Sequence, residues 1–188
     1  MLRVPSRARP VVAALVSFAA VASVTLLAGC SSSGSSAAAS TTTTVAAPPL
    51  LLDAVAPAVA AVESALGGPQ QYTEINVQSD LVNLFVAHDD GTESAYVYTA
   101  GRLDPPPAPT PQEEGAVPFS VAGVDLSTVS SFDDTLATAL PHSQLVRLAL
   151  RSEAATGLAW AAALRSSGGG ILEVLLSPSG AILGALPR

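Results

Sequence analysis

Apolar residues recur at helical spacing in two separate stretches of the chain. The first stretch, 54–66, repeats valine every three or four positions and is followed by a Gly-Gly-Pro run. The second, 125–140, has Asp125 or Ser127 as its capping residue and stops before Pro141. Each stretch predicts one amphipathic helix. The stripe on the second helix consists of Val129, Phe132, Leu136 and Leu140.

Each predicted helix is followed by short segments that are typical of β-strands. An Asp90-Gly91 pair between two of these segments predicts a hairpin. The repeated order predicts an α+β fold, with one antiparallel sheet and one helix per half packed on one face, built from a duplicated αβββ unit. The predicted strands are 72–78, 81–88 and 93–101 in the first half, and 145–151, 157–165, 171–177 and 181–187 in the second.

The N-terminus has a positively charged start followed by a long apolar run. Three arginines precede position 10, and 11–27 has only serine and threonine as polar side chains. This layout is typical of the signal segment of an exported chain. The order Leu27-Ala28-Gly29-Cys30 resembles the lipobox of bacterial lipoproteins of the high-GC Gram-positive type. In that family the cysteine receives a diacylglycerol and becomes the new N-terminus.

Two other interpretations of this segment stay open. An apolar run of about 18 residues is the lower limit for a membrane-spanning helix, and Cys30 could be incidental in the signal of a secreted protein. Lipidation of Cys30 implies two acyl chains, which suffice for lasting attachment. The lipobox therefore predicts a protein held at the cell membrane, on its extracytoplasmic face, by an N-terminal lipid. As the only cysteine, Cys30 leaves no internal disulfide.

Composition divides the chain into five predicted segments. A Ser/Thr/Ala/Pro-rich stretch without charge follows the signal peptide and predicts a flexible tether. A proline-rich stretch between the two halves predicts a connector that is neither helix nor sheet. The segments are the signal peptide 1–29, the tether 30–49, the first α+β half 50–104, the connector 105–118 and the second α+β half 119–188.

Removal of the signal peptide leaves a strongly acidic protein. Five arginines then face fifteen acidic residues, and lysine is absent. Such a chain is repelled by phosphate backbones, so nucleic acid is excluded as a partner.

The second half ends with ILEVLLSPSGAIL, a strand that runs into a Pro-Ser-Gly turn and a last short strand. An exported lipoprotein with a helix, three or four meandering strands and such an ending resembles the PepSY-like domains of bacterial envelope proteins. The resemblance covers 50–188 in arrangement only. It implies one helix packed across a small antiparallel sheet, often in tandem, and a role in restraining peptidases.

No stretch of the sequence carries an enzyme signature. The histidines, His88 and His142, have no serine tied to them by a Gly-x-Ser-x-Gly motif. His88 lies in HDDGTE, which we interpret as a polar hairpin tip rather than a metal site, because neighbouring strand residues point to opposite faces. The adjacent pairs Glu113-Glu114 and Asp133-Asp134 are interpreted as solvated charges. We therefore expect a non-enzymatic protein without a metal or cofactor.

Three of the arginines fall in two consecutive predicted strands. Strand alternation puts Leu145, Arg147, Ala149 and Arg151 on one face. If the next strand pairs beside it, Arg165 joins that face with Ala159, Ala161 and Ala163. The result would be an alanine-floored surface ringed by arginines, suited to carboxylates. Trp160 falls on the opposite face and is expected in the core beneath the helices.

These features predict a membrane-anchored binding protein rather than a catalyst. The leading hypothesis is a domain that binds an envelope protein or an acidic peptide through Arg147, Arg151 and Arg165. The alternative is a carrier of an apolar or lipid ligand, which needs a continuous apolar cavity of about 300 Å³ or more between helices and sheet.

Overall fold

Two α-helices end where the sequence predicts. One ends at the Gly-Gly-Pro run, and the other ends before the proline that follows the second apolar stripe. A computed structural model describes residues 47–187, and both α-helices lie within them. The first helix, α1 (Val55–Leu66), has Pro57 in its first turn. It ends at Gly67, whose φ of 82° is the left-handed conformation that glycine adopts without strain.

The second helix is shorter than its pattern predicts. Only Phe132–Ala139 is α-helical (α2), and the preceding Leu126–Ser131 forms a 3₁₀ helix. Asp125 caps that 3₁₀ segment, because its carboxylate accepts a 3.0 Å hydrogen bond from the Ser127 amide. The capping prediction is confirmed, but the serines after Leu126 tighten the first turns; the Ser130 hydroxyl, for example, donates to the Ser127 carbonyl.

Nine strands are present within residues 47–187, and all neighbouring pairs are antiparallel. They form one sheet in the order β4-β3-β2-β1-β6-β7-β8-β9, with β5 paired to β3. In chain order the strands are β1 (Tyr72–Val77), β2 (Val82–Ala87), β3 (Thr92–Thr99), β4 (Arg102–Asp104), β5 (Thr110–Pro111), β6 (Ser143–Glu153), β7 (Gly157–Ser166), β8 (Ile171–Leu176) and β9 (Ile182–Pro187).

The two halves meet where their first strands pair. β1 runs antiparallel to β6, with Ile75 opposite Leu150 and Val77 opposite Leu148. Each half therefore extends outward from this seam as a meander of its own strands. The predicted α+β fold, with an antiparallel sheet and one helix per half, is confirmed.

One face of the sheet packs against both helices and forms a single apolar core. Core members from α1, α2 and the strands belong to one cluster that extends across the seam. Trp160 of β7 is fully buried, as expected, and the edge of its ring meets Phe132 of α2 at 5.9 Å between centroids. The opposite face of the sheet carries the candidate functional residues; because neither α-helix of residues 47–187 packs on it, we call it the helix-free face.

Two irregularities change which side chains share a face. Against β7, the register of β6 shifts between Leu145 and Arg147, so Val146 is an extra residue. Leu145 is consequently buried in the core, and the prediction that it shares a face with Arg147 is wrong. A similar shift in β1 lies between Tyr72 and Glu74.

The proline-rich connector is not free of sheet structure. Its Thr110 and Pro111 form β5, which pairs with Glu93 and Thr92 at the start of β3. The expectation that prolines exclude this segment from the sheet is therefore wrong. Proline is compatible with an edge position because no neighbouring strand requires its missing N–H.

The last residues of the predicted tether are attached to the domain. The Ala47 amide donates to the Gln144 side chain at 3.1 Å, and the same side chain donates back to the Ala47 carbonyl. Nearby, the Leu51 amide donates to the Gln78 carbonyl at 2.9 Å. The chain thus joins the domain beside the start of β6 and the end of β1.

Gly180 in the β8–β9 turn allows a close approach to α2 that can be tested. Its φ is 89°, and a Cβ there would lie 2.6 Å from a ring carbon of Phe132. Gly169 has the same conformation, with φ of 90°, but open space around it. Both Ala variants should lose about 1 kcal/mol of unfolding free energy through backbone strain.

Gly180→Ala should lose about 1–3 kcal/mol more than Gly169→Ala, because its methyl group forces Phe132 to move. Chemical denaturation of both purified variants measures the difference. Equal losses would show that Phe132 does not pack over this turn.

Candidate functional site

The arginines of the two predicted strands lie on the helix-free face, as predicted. Arg147, Ala149 and Arg151 of β6 lie opposite Ala163, Ala161 and Ala159 of β7. Arg165 lies opposite Gln144, near the start of β6. The three arginines are therefore spread along the strand pair rather than gathered at one point.

The alanine floor of this face is not accessible. Ala149, Ala159 and Ala161 are each at most 2% exposed. Only Ala163 of the predicted floor is partly exposed. Three of the four predicted floor residues are therefore not exposed, and ligand binding on this face stays a prediction.

Arg151 is held by carboxylates of its own chain. Its guanidinium pairs with Glu153 two residues on, and with Glu173 of β8 at 3.2 Å. Glu74 lies directly opposite it across the β1–β6 seam. Burial alone would lower the pKa of Arg151, but the hydrogen bond and charge of Glu153, with the charges of Glu173 and Glu74, raise it.

The burial of Glu173 explains why its ion pair with Arg151 is held in place. Its residue is only 3% exposed, and a carboxylate in such surroundings needs a cation or hydrogen-bond donors. Arg151 is thus committed to the protein itself. By contrast, Arg147 and Arg165 are exposed and make no ion pair within residues 47–187.

A cleft of about 350 Å³ opens beside Arg151, and we call it the acidic cleft. Its walls come from the N-terminal part of β1, from β2 and β3, from the end of β6, and from the connector at 113–117. Arg151 is the cation among its lining residues. Five carboxylates surround the same space: Glu74, Glu93, Glu113, Glu114 and Glu153.

Local geometry fixes two of these carboxylates. The shift in β1 brings both Thr73 and Glu74 to the cleft. The Thr73 hydroxyl donates to Glu93, and the Asn76 side chain donates to Glu74 at 2.9 Å. Phe85 and Val117 add apolar surface to the same walls.

Sequence reasoning missed this cleft because its residues come from distant segments. Glu113 and Glu114 were interpreted as solvated connector charges, and both are indeed exposed. The connector carries the two glutamates to the cleft because Thr110 and Pro111 pair with β3. A Thr-Pro pair beside two glutamates does not predict this pairing.

The HDDGTE segment forms the β2–β3 hairpin, as predicted. Asp90 accepts hydrogen bonds from the Thr92 hydroxyl and amide, and these lower the pKa of its carboxyl. His88 lies 2.8 Å from the hydroxyl of Ser94, a contact that the sequence did not indicate. Ser94 is only 5% exposed, whereas His88 is exposed just after the end of β2.

The described residues, 47–187, do not include the predicted lipidation site, and they bear on membrane spans and metal ligands only inside that range. Cys30 and the lipobox residues Leu27, Ala28 and Gly29 lie outside the described residues. From 47 to 187, no helix has the length and hydropathy to cross a bilayer, and no three His, Cys, Asp or Glu side chains converge as metal ligands.

An apolar groove lies where α1 begins. Its volume is about 330 Å³, and Leu50, Leu52, Pro57 and Tyr98 contribute to its walls. It is bordered by exposed residues such as Asp53, whereas the interior between the helices and the sheet is occupied by the core cluster. The carrier hypothesis stays a prediction.

Comparison with known proteins gives no relative from which a function can be transferred. No protein-family model, no curated protein and no solved structure matches the chain.

Proposed function

We propose that this chain is an exported, lipid-anchored binding protein whose acidic cleft engages a basic segment of another extracytoplasmic protein. The observation that supports the proposal most directly is the composition of the cleft. Five carboxylates line it, and Arg151, the cation among them, is paired with Glu153 and Glu173.

The size of the cleft suits one or a few side chains. About 350 Å³ is near the lower limit of ligand sites. A lysine or arginine side chain could place its charged end among the carboxylates and its aliphatic stem against Val117. The ring of Phe85 offers a further surface for a guanidinium group.

Charge decides between a basic and an acidic partner. An acidic peptide, the partner inferred from the arginine pattern, would find only Arg147 and Arg165 without an ion pair in residues 47–187, because Arg151 is paired with Glu153 and Glu173. It would also meet the repulsion of a strongly acidic protein. A basic segment is attracted over a long range and gains the carboxylates of the cleft. A peptidase, suggested by the PepSY resemblance, remains one possible class of partner.

The position of the cleft agrees with an anchored binding protein. The predicted tether meets the domain beside Gln144, at the start of β6. The cleft lies by Arg151 and Glu153, at the end of the same strand. Because a strand rises about 3.3 Å per residue, about 30 Å separates the two positions. A partner could therefore reach the cleft without contacting the attachment point.

Neutralisation of the connector carboxylates tests the proposed site. We expect an Arg/Lys-rich peptide to bind and an Asp/Glu-rich peptide of equal length not to bind. The variant Glu113→Gln/Glu114→Gln should lower the affinity for the basic peptide about tenfold, because two exposed ion pairs are lost. The loss should shrink as salt is raised. Isothermal titration calorimetry measures both affinities.

The matched control removes an equal charge elsewhere. Asp133→Asn/Asp134→Asn neutralises an adjacent, exposed acidic pair on α2, far along the chain from the connector. It should leave the affinity nearly unchanged. Equal losses of affinity in both variants would show that net charge alone, and not the cleft, attracts the peptide. Tighter binding of the acidic peptide would refute the proposal.

The lipid anchor is tested separately at Cys30. The variant Cys30→Ala should lose incorporation of radiolabelled palmitate and leave the membrane fraction, because the thiol that accepts the acyl groups is gone. Ser31→Ala, one residue along, should keep both properties. Membrane retention of the Cys30→Ala chain without label would contradict lipid anchoring.

A further inference from the structure

The sheet ends on one side in a strand whose outer edge is open. β9 (Ile182–Pro187) pairs with β8, and no other strand within residues 47–187 pairs with it. Half of its backbone N–H and C=O groups therefore face outward without a strand partner. Such an edge is a template for another strand.

The side chains of β9 add to this exposed edge. Five large apolar residues are exposed within residues 47–187, and three belong to β9. Ile182, Leu183 and Leu186 are 46%, 48% and 55% exposed. No charged residue occurs from 174 to 187. β9 is thus an uncharged strand in a protein with fifteen acidic residues.

The other end of the sheet shows how an edge is normally protected. β4 has only three residues, and two of them, Arg102 and Asp104, form an exposed ion pair at 3.1 Å. Three prolines, 105–107, follow it at once. Short length, charge and proline all prevent strand addition. β9 is twice as long as β4 and carries no charge, and its one proline, Pro187, is its last residue.

We propose that β9 is an interface at which a second copy of this chain pairs, strand against strand, about a two-fold axis. In such a pairing the two β9 strands are antiparallel, and residues at equal distances on opposite sides of the axis meet each other. A charged strand would repel itself there. The absence of charge from 174 to 187 removes this cost, whereas acidic residues disfavour self-contact over the rest of the domain.

The seam between the halves offers the same geometry within one chain. β1 and β6, the first strands of the two halves, already pair antiparallel with apolar residues opposite each other. A β9–β9 contact would repeat that arrangement at the outer edge and join two sheets into one. This proposal does not depend on the acidic cleft or its partner.

Photo-crosslinking in the full-length chain tests the interface directly. A benzophenone amino acid replaces Leu186 in cells that express two differently tagged copies. We expect a crosslinked product of twice the chain mass that carries both tags. The same group at Val117, which is 56% exposed on the connector, should give little of this product. No product from Leu186, a product with a different protein, or equal yield from Val117 would overturn the proposal.

Charge variants give an independent readout through co-precipitation of the two tagged copies. Leu186→Asp in both copies should reduce co-recovery at least tenfold, and so should Leu186→Lys in both. One Asp copy with one Lys copy should restore part of it, because the opposite charges across the interface attract, which a merely unfolded strand would not do. Leu66→Asp, at an exposed apolar position at the end of α1, should leave co-recovery unchanged. Full co-recovery of the paired Asp variants, or no rescue by the mixed pair, would contradict two-fold pairing at β9.

Discussion

The pairing of β1 with β6 is the constraint on which the rest of the structure depends. It joins two helix-and-strand halves into one sheet, and one apolar cluster extends across both of them. The same pairing also builds the acidic cleft. It places Glu74 of the first half opposite Arg151 of the second, so carboxylates from both halves line a common space.

The sheet keeps three features in different places: the attachment of the chain, the acidic cleft and the β9 edge. The helix-covered face holds the core, and the helix-free face holds the acidic cleft. The chain joins the domain at the start of β6, the cleft lies at its other end, and β9 forms one lateral edge. Attachment, ligand binding and self-association would therefore use separate surfaces, which allows each to be altered without the others.

Sequence patterns predicted both helices, seven of the nine strands in residues 47–187 and the fold class, because those depend on local spacing and on breakers such as Gly67 and Pro141. They did not predict which strands become neighbours across the two halves, since alternation defines a face but not a partner. For this reason Arg151 looked available: its partner Glu173 lies in another strand, and Glu74 in another half. The error at Leu145 has a local cause, because one extra residue reverses the alternation.

The most direct test of the shared sheet is native-state hydrogen exchange combined with denaturant unfolding. If the β1–β6 seam unites the halves, the amides of β1 and β6 should exchange only through global unfolding, and both halves should unfold in one cooperative transition. Two separate transitions, with the seam amides exchanging before those at the centre of each half, would contradict the account.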